Sequence, residues 1–264
     1  MPPCIPSGNS PIKYKIMPKI EWSQAVELIT PHVVRISTPR GSGTGFLISN
    51  NKMHTIAGVA TAAHVVNHAH YWEEPIRIDH ISSGKVTVVR HNQRAVFLDE
   101  NRDTAAVLFN LGDIPLPNAP LPLVPPKMFL KVGNEVGWLG FPAIPLANLC
   151  FFKGNVSAWI DSQLAYLVDG VAINGVSGGP AFHLSGDPAA PMLVIGVVSA
   201  YVPNRATGEV LPGLAVVRDV SHFHELAPTF ASLDQAREAA PPAQPPLAVP
   251  TPEVSSETKV VRKL

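Results

Sequence analysis

Three short stretches of this sequence carry residue types that could do chemistry together. The first is NGVSGGP, residues 174–180, with Ser177 set among glycines. A serine becomes a nucleophile when its hydroxyl is exposed, a base can take its proton, and backbone N–H groups face the developing oxyanion. Gly175 and Gly178 lack a Cβ, so the chain can turn tightly there and a substrate carbonyl can approach the amides. The second stretch is TAAHVV, where His64 has small neighbours that leave its ring room. The third is NRDTAAVL, where Asp103 leads directly into an apolar run and could orient a base; Asp99 and Glu100 are the competing acids. Each stretch has a plainer alternative. The glycines suit a hairpin turn, a lone histidine among apolar residues is usually a satisfied core or surface group, and an aspartate before a strand is usually a turn residue.

Other motifs carry less. GVSGG also fits the G-x-S-x-G elbow, which needs a strand before the serine and a helix after it. Gly178, Gly179 and Pro180 are a poor helix start, and the upstream chain does not alternate strand with helix. Asp187, Asp219, His222 and His224 could supply that elbow's acid and base. In HVVNHAH the spacing of His64, His68 and His70 permits a metal, but no cysteine or acid cluster joins them, and none is expected. Gly41, Gly43 and Gly45 are followed by a strand and no GK[ST], so they read as turn-shaping residues. Cys150 opens an apolar run and reads as a buried strand residue rather than a nucleophile.

The elements that must position these residues are mostly short strands. VVRIS (33–37), GFLIS (45–49), VTVVR (86–90), AVFLD (95–99) and AAVLF (105–109) are rich in β-branched residues and separated by Gly, Pro, Asn and Asp. The proline-rich residues 114–127 (IPLPNAPLPLVPPK) read as a connector, because proline cannot donate to a central ladder. A second set follows: EVGWLG (135–140), FFKGNVSAWI (151–160), LAYLVDG (164–170), LVIGVVSAYV (193–202) and GLAVV (213–217). Trp22, Ala25, Val26 and Ile29 are spaced for a short amphipathic helix that Pro31 stops. A helix is also predicted from Asp219 or Ser221, both good N-caps. Residues 1–30 form an arm with that short helix, and 235–264, rich in proline and without aromatics, a disordered tail.

Composition narrows the class. With 46% hydrophobic and 15% charged residues, the 264-residue chain can fill a sizeable core, and global disorder is excluded. Twenty basic residues balance twenty acidic ones, so nothing points to nucleic acid. No apolar run has the length to span a bilayer, and residues 1–20 lack a signal-like core. Only Cys4 and Cys150 are present, which suits two free thiols and a reducing compartment, so a soluble cytoplasmic protein is expected.

Taken together, TAAHV, DTAAVL and GVSGGP resemble the trypsin/chymotrypsin family of serine proteases, especially its cysteine-poor bacterial branch related to the heat-shock proteases. The resemblance covers residues 33–226, with GTGFLI (43–48), VGWLGFP (136–142) and PGLAVV (212–217) similar to framework strands. It implies an all-β, chymotrypsin-like fold: two six-stranded antiparallel β-barrels, about 31–112 and 125–222 within a domain of 31–230, with a C-terminal helix. It also implies a triad of His64, Asp103 and Ser177, an oxyanion hole from the amides of Gly175 and Ser177, polypeptide substrates and no cofactor. By the same likeness Val171 lies at the base of the primary specificity pocket, with Ser199, Ala200 and Tyr201 on its wall. None of these four is charged, which implies an apolar residue before the scissile bond. Val176 stands where many secreted relatives hold an aspartate that pairs with a cleaved N-terminus, so activity without cleavage of the arm is expected. Two other classes share the fold: a binding module that has lost turnover, and an esterase.

Overall fold

A computed structural model describes residues 20–51, 54–115, 117, 119–145, 148–203 and 210–239. Cys4 and most of the expected arm and tail lie outside them. The chain enters through helix α1 (Trp22–Ile29), whose Ala25 and Ile29 are fully buried. Pro31 then forces a 3-10 turn into the first strand.

Seven strands make the first sheet: β1 (Val33–Thr38), β2 (Gly41–Asn50), β3 (Ile56–Thr61), β4 (Ile76–His80), β5 (Lys85–Val89), β6 (Arg94–Asp99) and β7 (Thr104–Asn110). Helix α2 (Ala63–Tyr71) interrupts the series after β3. All pairings are antiparallel, in the order β5-β4-β1-β2-β3-β7-β6, and the sheet stays an open half-barrel. The expected first barrel is therefore corrected in detail: seven strands, not six, and the edges β5 and β6 are not joined by a ladder. Instead Arg94, at the start of β6, reaches the Val89 carbonyl of β5 at 2.9 Å and the Ala69 carbonyl of α2 at 2.7 Å. Ile36, Val59, Val66, Ile78 and Val107 fill this half's core.

The second half is a closed six-stranded barrel of β8 (Glu135–Gly140), β9 (Cys150–Ile160), β10 (Ala165–Asp169), β11 (Pro180–Asp187), β12 (Ala190–Pro203) and β13 (Val210–Asp219). Trp138, Tyr166, Phe182 and Ile195 are buried inside it. The 114–127 connector is more than a spacer. Leu121 and Val124 are buried, and the connector pairs with β12 at Val194, whose carbonyl accepts the Val124 N–H and whose N–H donates to the Pro122 carbonyl, both at 2.8 Å. Asp219 ends β13 and accepts hydrogen bonds from the backbone N–H and hydroxyl of Ser221, which opens α3 (Ser221–His224). Helix α4 (Ala227–Ala239) follows, so the chain is still helical from 235 to 239, where the tail was expected to have begun. The fold is chymotrypsin-like and mostly β, with a helical C-terminal segment.

Candidate active site

His64 is the second residue of α2. The buried positions Ala63, Val66 and Ala69 pin that helix to the first core and leave His64 at its exposed start. No residue adjoining the helix caps it. Its cap comes from Asp103, far along the chain, whose Oδ1 accepts the His64 backbone N–H at 2.9 Å. A carboxylate there also favours the positive end of the helix dipole. The same carboxylate holds the imidazole, with His64 Nδ1 3.0 Å from Oδ1 and 2.9 Å from Oδ2.

Asp103 sits in a turn with φ of 50°, a left-handed conformation that aspartate tolerates better than most residues. Its next neighbour is anchored: Thr104 Oγ1 lies 2.8 Å from Nδ1 of the buried His222. Burial drives the His222 pKa below its ordinary value, more than the charges of Asp99 and Glu225 raise it. For Asp103, burial alone would push the carboxyl upward. Hydrogen bonds from His64 and Ser199, with the charge of His64, outweigh that and hold it below the usual range. Ser199, one of the expected wall residues, also donates through Oγ to Asp103 Oδ2 at 2.5 Å.

Ser177 stands on a loop fixed almost wholly by backbone. Gly178 N–H donates to Val198 O at 2.7 Å, and Val198 N–H returns a bond to Gly179 O at 2.9 Å. Gly175 and Gly178 both have φ of 90°. A Cβ on Gly175 would stand 2.3 Å from Phe141 O, and one on Gly178 1.9 Å from Thr44 O, so both conformation and space demand glycine. The first half grips this loop through one buried residue. Thr44 on β2 donates its N–H to Ser177 O at 2.8 Å and its hydroxyl to Gly175 O at 2.8 Å. The hydroxyl also accepts the Phe141 N–H at 2.9 Å.

Two amides in the loop are left over. Asn174 O accepts from Ala143 N–H at 2.7 Å, and Val176 O from Gly179 N–H at 3.0 Å. In a trans peptide the N–H points opposite to its carbonyl, so the Gly175 and Ser177 N–H groups turn away from those bonds. Among the described residues neither donates a hydrogen bond. The arrangement suits a developing negative charge.

His64, Asp103 and Ser177 line one hollow of about 230 Å³ with Ala172, Ile173, Asn174, Ser199, Ala200 and Tyr201. Ser177 Oγ donates to Ser199 O at 3.2 Å and makes no hydrogen bond to His64. Tyr201, whose direction the sequence leaves open, faces the hollow. Val171 does not: it is half exposed and absent from the lining, which begins one residue later. Ala172, Ile173, Asn174 and Thr44 escaped the sequence reading. Cys150, expected to be buried, is a partly buried free thiol at the start of β9. His68 is bonded through Nδ1 to Glu74 at 3.0 Å, while the His70 ring lies tilted beside those of Tyr71 and His91. Among the described residues no group of acids, histidines and cysteines is arranged to hold a metal, and no helix is long and apolar enough to cross a membrane.

Comparison with known proteins places these features in context. The trypsin-like peptidase domain family matches residues 43–197. No curated protein matches the chain. Among solved structures, the serine endoprotease from Yersinia pestis superposes with a TM-score of 0.58 at 18% identity, covering 81% of this chain and 67% of that one. Deg5 gives 0.57 at 19%, covering 80% and 96%. The Rv3671c protease of M. tuberculosis, in an inactive form, gives 0.53 at 22%, covering 78% and 92%. At these identities the likeness is one of fold.

Proposed function

Because the chain belongs to the trypsin-like peptidase family and is thus a serine-type endopeptidase, we propose that His64, Asp103 and Ser177 are its catalytic triad. The observation that carries this is the meeting of the three in one hollow, with the Asp103 carboxylate on His64 Nδ1. With Nδ1 carrying the proton toward Asp103, Nε2 keeps its lone pair and can act as a base. The Ser177 hydroxyl turns from the Ser199 carbonyl to His64 once substrate arrives; such bonds are commonly loose without substrate. Ser177 Oγ then attacks the scissile carbonyl as His64 takes its proton. The oxyanion is met by the N–H groups of Gly175 and Ser177. His64 returns the proton to the leaving amine, and a water activated by the same histidine releases the acyl group.

The hollow beside the triad is neutral apart from the triad itself, with Ala172, Ile173, Ala200 and Tyr201 on its walls. An arginine or lysine entering it would lose water without an ionic partner, and an acid would fare no better. The enzyme accordingly prefers an apolar residue before the scissile bond. A peptide library varied at that position tests this: cleavage should concentrate after apolar residues, and dominant cleavage after Arg, Lys, Asp or Glu would overturn the preference.

A further inference from the structure

The cleft continues beyond Ser177 on the side away from Ser199. A second hollow of about 460 Å³ lies there, with Thr38, Arg40, Ser42, His68 and Ala143 in its lining. It shares His64, Asn174 and Ser177 with the first, so one extended polypeptide can lie across both. The two sides differ in charge. The first is neutral outside the triad. The second has no aspartate or glutamate in its lining, and Arg40 is part of that lining. Arg40 is exposed at the tip of the β1–β2 hairpin, where its own N–H bonds Thr38 Oγ1 at 3.3 Å. Among the described residues its side chain has no ion-pair partner. Two acids touch lining residues and both are engaged there, Glu74 by His68 Nδ1 at 3.0 Å and Asp103 by His64 Nδ1 at 2.9 Å.

We propose that this second hollow binds an acidic side chain of the substrate, with Arg40 as the cation that selects it. The inference rests on the reading above, in which Ser177 is the nucleophile and the Ser199 side takes the acyl half; the acid is then among the first three residues of the leaving half. A guanidinium presents a planar fork to a carboxylate, so the pair can form two parallel hydrogen bonds. The hollow is open, so water screens the pair, and an exposed ion pair of this kind changes a rate by roughly two- to five-fold.

The test uses the full chain and sets of C-terminally amidated peptides that carry Asp, Asn or Lys at each of those three positions. Amidation leaves the side chain as the only variable charge. At one position the kcat/KM ratio of Asp over Asn should reach roughly two to five at low salt, and fall toward one as salt screens the pair. Arg40→Gln should bring that ratio to about one at low salt, and Arg40→Glu should favour Lys over Asp. A wild-type ratio of one or below at every position, or an undiminished ratio in Arg40→Gln, would overturn the proposal. Failure to cleave any peptide would instead count against the Ser177 reading. Titration of the same peptides onto Ser177→Ala protein would then decide the Arg40 proposal by the same ratios of affinity.

Discussion

The two halves of the molecule hold their reactive groups by different means. In the open half-barrel, His64 and Asp103 are placed by side chains: one carboxylate caps the helix, grips the imidazole and accepts from Ser199. In the closed barrel, the Ser177 loop is placed by backbone hydrogen bonds and two glycines at positive φ. The contrast follows from what each group must do. A base needs its proton affinity and tautomer set, which neighbouring charges and hydrogen bonds accomplish. A nucleophile beside two free amides needs a fixed backbone path, which a barrel rim can supply. Thr44 is where the two schemes meet, since one residue of the first half holds two carbonyls of the second, Gly175 O by its hydroxyl and Ser177 O by its backbone N–H.

Removing the reactive groups themselves should have the largest effect. Ser177→Ala or His64→Ala should lower kcat on a short peptide on the order of 10⁶-fold, and the double variant should be scarcely worse, because the two act as a unit. Asp103→Asn comes next, at roughly 10⁴-fold in kcat, because the amide favours the wrong imidazole tautomer. Near-normal turnover would show that Asp99 or Glu100 orients the base.

Thr44→Val attacks the junction. It leaves the Phe141 N–H without its acceptor and the Gly175 carbonyl without the Thr44 donor, in a site with no exposure. The expected result is a fall in kcat of roughly 10²-fold, comparable with loss of one oxyanion donor, while KM changes little. Thr44→Ser keeps the hydroxyl and should recover most of the rate. Equal losses in both variants would mean that Thr44 matters for packing alone.

The smallest effect concerns stability and sharpens the contrast from the first half. His32 is buried, and desolvation lowers its pKa from 6.5 to about 4, a backbone hydrogen bond with Leu47 opposing and the charge of His80 adding to the fall. The unfolded chain takes up this proton first, so the stabilisation is complete above pH 6.5 and is lost as pH falls toward about 4. Up to about 3 kcal/mol is at stake. Melting temperatures measured across that window should fall in the wild type and fall less in His32→Gln; identical slopes would contradict the assignment.

Much of this was legible in the sequence, and what was not has physical reasons. The three motifs and most strands announce themselves by β-branched runs and glycine punctuation. The helix bearing His64 does not: its segment follows TIAGVA without a break and contains two valines, and its cap lies on Asp103, 39 residues away. Strand β4 is short, and β11 begins at a proline and contains a glycine, which hides both from pattern reading. The likeness alone points to Val171 as the pocket base, but the loop leading to Ser177 decides which residues face the hollow, and the lining starts at Ala172. Thr44 is one hydroxyl in GTGF, and its partners lie 97 and 131 residues along the chain. No local pattern encodes such a contact.

The central claim is that Ser177 is a hydroxyl made nucleophilic by His64 and Asp103. A fluorophosphonate probe, followed by intact mass and peptide mapping, tests it most directly. Wild-type protein should gain a single adduct, located on Ser177, with His64→Ala labelled far more slowly and Ser177→Ala not at all. An adduct on Ser199 or any other residue, or equal labelling of Ser177→Ala, would contradict the account.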